Sequence, residues 1–247
     1  MQTTPYKSVS FSHTGKRSGN EDYLVTGTVG AKSFFMVCDG VGGQDKGEVA
    51  SRLACETFQR FFEENIHQEI NESFIHQAIS TIQAAFDAYI AQHPDAQQMA
   101  TTLTLALLHP AGASMAHLGD SRIYYIRNGS ILFQTRDHSL VNELLDKDII
   151  TLEEAQTSRQ KHIITRAISA VSSQSAHPSY HLITDIQPGD IFFLCTDGVT
   201  ESLSADALAN IFRDHSCISE ATRMIESSCA RCSHDNHSGI IVQIIDV

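Results

Sequence analysis

Two segments share one pattern: an apolar run that ends directly in Asp-Gly. The first is "SFFMVCDG", ending at Asp39–Gly40, and the second is "IFFLCTDG", ending at Asp197–Gly198. A short apolar run rich in aromatic and β-branched residues, closed by a turn signal, reads as a strand buried on both faces. Strand ends that converge at one edge of a sandwich would cluster the two carboxylates. Three further aspartates fall at strand ends or in adjoining turns: Asp22 in "RSGNED", Asp120 in "HLGDSR" and Asp235 in "HDN".

The rest of the chain fits that arrangement. "SVSFSHTG" alternates like a strand, and "DYLVTGTVGAKSFFMVCDG" reads as two strands around a turn near Gly30, the second ending at Asp39. From Gly47 to about Asn65, Val49, Leu53, Phe58, Phe61 and Phe62 form a helical stripe. A second helix is expected from Ile70 to Ala91. A meander of short strands comes next, with an Asn128–Gly129 hairpin turn between "IYYIR" and "SILFQ". Residues from Arg136 to about Ser175 are polar and irregular, with short helical pieces. Two more strands flank Pro188–Gly189, helices are expected near Ser204–Phe212 and Ser219–Cys229, and "GIIVQIID" is the last strand. This order is not the strict βαβα alternation of a doubly wound sheet. The expected fold is α+β: a four-layer α-β-β-α sandwich of two antiparallel sheets flanked by helices. No repeat, low-complexity tract or Pro/Gly-rich linker divides residues 1–247, so one domain is expected.

The charge balance narrows the partners. With 17 Lys+Arg against 29 Asp+Glu, the formal charge is −12. Nucleic acid and anionic membranes need a basic face, so neither is expected as a partner. No apolar run approaches the roughly 20 residues that cross a bilayer. The opening "MQTTPYKSVSFSH" has no apolar core of an export signal. The cysteines at the ends of apolar runs, Cys38 and Cys195, read as buried free thiols, consistent with a reducing cytoplasm.

The glycine-rich stretch "DGVGGQDKGE" after Asp39 invites a phosphate-loop reading, and spacing excludes it. A nucleotide P-loop ends in Gly-Lys-Ser/Thr, whereas Lys46 is followed by Gly47. A dinucleotide fingerprint needs a third glycine where Asp45 stands. A carboxylate cluster remains. Such groups raise one another's pKa unless cations neutralise them. Hard oxygen donors suit Mg²⁺ or Mn²⁺, and two such ions can activate a shared water. On this reading Gly40 lets a backbone carbonyl approach a metal, and the glycines ease the turn into a helix. "CARCSHDNH" also gathers Cys229, Cys232, His234 and His237, but one residue between the pairs is too few for a tetrahedral zinc site.

Eight motifs in order resemble the metal-dependent protein phosphatases, the PPM or type 2C serine/threonine phosphatases, in their bacterial single-domain form. They are "GKRSGNEDYLV", "VCDGVGG…GEVAS", "MATTLTLAL", "HLGDSRIYYIRNG", "TRDHSLV", "ITRAIS", "LCTDGVTE" and "HDNHSGIIV". The resemblance implies that Asp39 bridges two Mg²⁺ or Mn²⁺ ions and that the Gly40 carbonyl binds one. Asp22, Asp197 and Asp235 would complete the shells, largely through water, and Asp120 would serve a third, weaker site. Arg17 would hold the substrate phosphate, so Asp39, Arg17 and Asp22 are the expected catalytic residues. The implied reaction is in-line attack of metal-activated water on phosphoserine or phosphothreonine in proteins, without a covalent intermediate. A cognate serine/threonine kinase and its targets are the implied partners of a cytoplasmic monomer. Residues 137–175 correspond to a variable, substrate-selecting flap of low apolar content. Some members carry a histidine where this chain has Val41, which leaves a metal-bound water as the implied leaving-group acid. By chain position His13 and His138 are the alternatives. Two other readings are a phosphoprotein-binding pseudophosphatase and a phosphatase of small metabolites.

Overall fold

The computed structural model describes residues 5–41, 46–170, 176–215 and 217–246. Gly42, Gly43 and the last five residues of the expected flap lie outside the described residues. The strands and helices run β1 (Tyr6–His13), β2 (Asp22–Val29), β3 (Lys32–Val41), α1 (Gly47–Glu64), α2 (Glu72–Gln92), β4 (Ala100–Thr101), β5 (Leu103–His109), β6 (Gly112–Leu118), β7 (Arg122–Arg127), β8 (Ser130–Gln134), α3 (Leu140–Asp146) and α4 (Leu152–Thr157). They continue with β9 (Ile168–Ser169), β10 (Ser179–Ile183), β11 (Ile191–Cys195), α5 (Asp197–Thr200), α6 (Ala205–Asp214), α7 (Ile218–Cys232) and β12 (His237–Ile244). Short turns join neighbouring strands; Asn128 and Gly129 take φ of 51° and 70°, as the Asn-Gly hairpin requires.

One sheet has five strands in the order β1-β12-β11-β7-β8. The other has seven, β10-β6-β5-β3-β4-β9 with β2 paired to β3. The α+β sandwich is the one expected, and its layers arise from strand periodicity. On β3, Phe34, Met36 and Cys38 face α1 and α2, packing with Phe58, Phe62 and Phe74. Phe35 and Val37 face the other way and meet Phe192 and Leu194 of β11 and Ile240 and Val242 of β12 between the sheets. On β11, Phe193 and Cys195 point outward to Leu208, Phe212 and Ile225 of α6 and α7. Three apolar layers therefore separate four layers of secondary structure, and truncating any of these buried phenylalanines to alanine costs about 3–5 kcal/mol.

Period 2 places the site. Asp39 continues the inward row of Phe35 and Val37. Asp22 stands directly opposite Asp39 in the β2–β3 register, one step beyond the Leu24–Val37 pair on the same face. Thr196 continues the inward row of Phe192 and Leu194. Each inward row thus changes from apolar to polar where it reaches the end of the sandwich.

Two local expectations change. The strand through Asp39 does not stop there: Gly40 and Val41 remain in β3, paired with Thr101 and Ala100 of β4. The glycine at 40 is also required by packing. A Cβ there would sit 2.1 Å from the carbonyl oxygen of Gly47, where α1 begins. Gly198 repeats this, with the carbonyl oxygen of Asn236 2.0 Å from the site of its missing Cβ. Both Asp-Gly pairs mark backbone-to-backbone contacts beside a carboxylate. Gly40→Ala should cost at least about 2 kcal/mol in chemical denaturation. Gly19→Ala, where a Cβ meets nothing within 4 Å, should stay within about 0.5 kcal/mol of the parent.

Candidate metal centre

Each of the five aspartates reaches one end of the sandwich by a different route. Asp22 opens β2 and Asp39 lies near the end of β3, both from the seven-stranded sheet. Asp197 comes just after β11 and Asp235 just before β12, both from the five-stranded sheet. Asp120 lies where the chain crosses from β6 in one sheet to β7 in the other. The electrostatic surroundings of Asp39 contain all four of the others.

Hydrogen bonds fix these positions. The Asp39 N–H donates to Thr102 Oγ1 at 2.9 Å, and Thr102 Oγ1 lies 2.8 Å from Ser121 Oγ beside Asp120. The Asp39 carbonyl accepts from Thr101 Oγ1 and from the Thr102 N–H, both at 2.9 Å. Thr196 Oγ1 donates to Asp22 Oδ2 at 3.0 Å and accepts from the Ser238 N–H at 3.0 Å. Asn236 ties the loop carrying Arg17 to the site. Its amide donates to the carbonyls of Thr14 and Gly19 at 2.8 Å each, and its Oδ1 accepts from the Glu21 N–H at 2.8 Å. Arg17 Nη2 donates to Asp235 Oδ2 at 2.5 Å, while 59% of its side chain stays exposed. These threonines and Asn236 were not expected as site residues. They sit inside the family-like motifs, but a buried hydroxyl or amide that braces a neighbour leaves no periodic mark on a sequence.

The cost of this convergence is visible in the acids. Burial first, and the other carboxylates second, push Asp39 well above the usual carboxylate range. Burial raises Asp22 to about 7, against the pull of hydrogen bonds from Ser238 and Thr196. Burial, with Asp120 and Asp235 nearby, raises Asp197 to about 7. Burial and Asp137 raise Asp120 to about 6. Asp22 Oδ1 is buried with no hydrogen-bond partner.

A divalent cation fits these residues. The donors are all hard oxygens, one of them is buried and unpartnered, and the opposed pair Asp22 and Asp39 sits in the field of the other carboxylates. Among the described residues, no three His, Cys, Asp or Glu side chains form a ready single-ion cage. That looseness disagrees with a direct three-carboxylate cage but not with shells completed by water, the usual habit of Mg²⁺. The mutual repulsion of the carboxylates is the more telling observation, because unneutralised like charges keep apart. Beside Asp120 and Asp197 opens a cavity of about 420 Å³ that continues toward α3 and α4.

The two histidines considered as leaving-group acids are committed elsewhere. His13 Nε2 pairs with Glu226 Oε1 of α7 at 2.8 Å. His138 Nδ1 accepts the Gly119 N–H at 3.2 Å and its Nε2 lies 2.9 Å from Ser179 Oγ. Its ring stacks on His117 at 4.4 Å. Burial, His117 and Arg166 lower His138 to about 3, so the ring is neutral near pH 7 and its one N–H, on Nε2, points at Ser179.

A family model described as Protein phosphatase 2C matches residues 11–228. The chain belongs to the protein phosphatase 2C family. A serine/threonine protein phosphatase of Mycobacterium tuberculosis, PstP, is 27% identical over 230 residues, covering 93% of this chain. The chain spans 43% of that relative's length. A putative protein phosphatase 2C-type of Streptococcus pyogenes is 30% identical, with 90% of each chain covered. Among solved structures, the catalytic domain of PstP in complex with two manganese ions has a TM-score of 0.79 at 26% identity, covering 98% of this chain and 99% of that one. The fold is thus shared with the catalytic domain of a serine/threonine protein phosphatase whose structure holds two manganese ions.

The raised carboxylates set a pH dependence for the metal-free protein. Asp22 and Asp197, near 7, and Asp120, near 6, bind protons in the folded state that an unfolded carboxylate, near 4, has already released. Their contribution is therefore present below about pH 4 and is lost as pH rises through 6–7. In chelator, the thermal midpoint should fall between pH 5 and pH 7.5, and Mn²⁺ should restore it mostly at the upper end. A midpoint in chelator that rises across this range would contradict the carboxylate crowding.

Proposed function

We propose that this chain is a Mg²⁺- or Mn²⁺-dependent protein serine/threonine phosphatase. The observation that carries the reading is the convergence of four other carboxylates on Asp39 with an arginine on the rim, in a chain of the 2C family. Asp39 would bridge two ions, the Gly40 carbonyl would bind one, Asp22, Asp197 and Asp235 would complete the shells through water, and Asp120 would serve a weaker third site. When bound, the ions supply positive charge to the phosphoryl oxygens and lower the pKa of a water to make it a nucleophile.

The chain's own groups position the substrate. Arg17 has five N–H donors and gives Asp235 one Nη2 contact. The rest of its planar fork faces solvent and suits bidentate phosphate recognition. The Asn236 amide holds the loop that aims it. Thr102 and Thr196 hold Asp39 and Asp22 against the repulsion that would part them. Val41, at the rim, has no proton to give. His13 is engaged with Glu226, and His138 with Gly119 and Ser179. The alkoxide therefore leaves without a histidine of this set as its acid.

The substrates are phosphoserine and phosphothreonine proteins, a cognate kinase and its targets among them, and the setting is a cytoplasmic monomer. Among the described residues no helix is long and apolar enough to cross a membrane. Residues 1–247 act as one catalytic domain, with residues 137–175 as the flap beside the site. A phosphoprotein-binding pseudophosphatase fits less well, since all the expected carboxylates and Arg17 are present. A phosphatase of small metabolites is separated from this reading by experiment.

Hydrolysis of p-nitrophenyl phosphate and of a phosphothreonine peptide, with Mn²⁺, with Mg²⁺ and with chelator, tests the proposal. Turnover is expected only with metal, and sugar phosphates should be poorer than the peptide. Folded, metal-loaded protein without turnover would overturn it. Asp39→Asn should lower kcat by at least about a hundredfold while the far-ultraviolet circular dichroism stays unchanged. Equal activity in that variant would remove Asp39 from its bridging role.

A further inference from the structure

The direction of Arg17 is set by its backbone. Its guanidinium bonds Asp235 Oδ2, and most of its side chain faces solvent. The loop of residues 14–19 must therefore aim it. On the inner side Asn236 holds that loop through the carbonyls of Thr14 and Gly19. Gly15, at φ 62°, lies so close to the Asp235 carbonyl oxygen that a Cβ would stand 2.1 Å from it. On the outer side the loop faces α7 across a second cavity, of about 580 Å³, lined by Thr14 and Lys16 on one wall and by Glu226, Cys229 and Ala230 on the other. Close packing cannot steady a loop across open space.

A polar tie crosses that space. His13 ends β1 and His237 opens β12, and the two are cross-strand partners. Their rings lie 5.2 Å apart, tilted by 33°. His13 Nε2 meets Glu226 Oε1 of α7 at 2.8 Å. His237 Nδ1 lies 3.3 Å from the Asp235 carbonyl; a carbonyl only accepts, so this nitrogen carries the proton and donates it. Two imidazoles thus connect a carboxylate on α7 to the backbone of the residue that holds Arg17. The His13 and Glu226 side chains are 49% and 31% exposed, and a pair so exposed adds little to stability. What it fixes is position: a displacement of about 1 Å in a substrate-holding group can forfeit much of its effect.

We propose that Glu226 is a positioning residue for Arg17. It acts through His13, at the root of the arginine loop, and His13 in turn braces His237 and Asp235. The clamp keeps the open part of the guanidinium fork directed at the incoming phosphate. The inference rests on the phosphatase reading and adds the means by which that site aims its cation.

The test uses the metal-loaded protein. Glu226→Ala and His13→Ala should each raise both the KM for p-nitrophenyl phosphate and the inhibition constant of inorganic phosphate by about fivefold, with kcat held within about twofold. Mn²⁺ affinity should not change, and the thermal midpoint should stay within about 2 °C of the parent. Arg17→Ala should lose more, and adding Glu226→Ala to it should cost nothing further, because the clamp works through Arg17. Amide hydrogen exchange in residues 14–19 should quicken in Glu226→Ala while β2 and β3 stay protected. Ser227→Ala, on the same cavity wall, should match the parent throughout. Additive losses in the double variant, or an unchanged KM with unchanged exchange in the loop, would overturn the clamp. So would a fall in kcat or in Mn²⁺ affinity in place of the rise in KM. A parent protein without turnover would instead overturn the phosphatase reading, and the exchange comparison would still decide whether Glu226 holds the loop.

Discussion

Asp22 and Asp39 face each other across two paired strands at the closed end of the core. Like charges directly opposite in an antiparallel pair destabilise a sheet, and burial sharpens the penalty because the surroundings screen poorly. Much of the local structure can be read as the means of holding that pair together. The apolar rows behind them, Phe35 and Val37 on one sheet and Phe192 and Leu194 on the other, fix where the strands end. Gly40 against Gly47 brings α1 so close that no other residue fits. Thr102, Thr196 and Asn236 brace the backbone and the acids. An extended hydrophobic core offsets the cost of a small, highly charged patch that a cation would relieve.

Much of this was legible in the sequence because strand periodicity and charge both leave marks on it. An apolar run ending in Asp-Gly locates a carboxylate at a strand end, and once the run is a strand its period of two puts Asp39 on the face of Phe35 and Val37. What was not legible depends on contacts between distant segments. Gly40 was read only as easing the approach of its carbonyl to a metal, and its second task, making room for the carbonyl of Gly47, could not be seen. The α5 turn at Asp197 is too short for helical periodicity to declare it. Asn236 reaches back more than two hundred residues to the Arg17 loop, and no local pattern records that.

The site divides into a rigid part and an adjustable part. The carboxylates sit on sheet ends and are braced by buried hydroxyls, which suits a cluster that must keep its geometry under repulsion. The segment after Asp137 is short-helical and fastened at its root, by the Arg122–Asp137 pair and by His138 between Gly119 and Ser179. His138 therefore belongs to the framework, linking the turn that carries Asp120 to β10. Arg17 stands between the two parts, half committed to Asp235 and half open to solvent.

The most direct measurement of the central constraint is the number of protons released when Mn²⁺ binds. It is obtained by titration calorimetry at pH 6 and pH 8 in buffers of different ionisation heat. If the folded protein keeps Asp22 and Asp197 partly protonated because the cluster crowds them, binding at pH 6 should release about one proton or more, and binding at pH 8 close to none. Asp39→Asn should bind Mn²⁺ at least about tenfold more weakly. Binding at pH 6 without proton release, or equal affinity in Asp39→Asn, would contradict the view that opposed carboxylates hold this site ready for a cation.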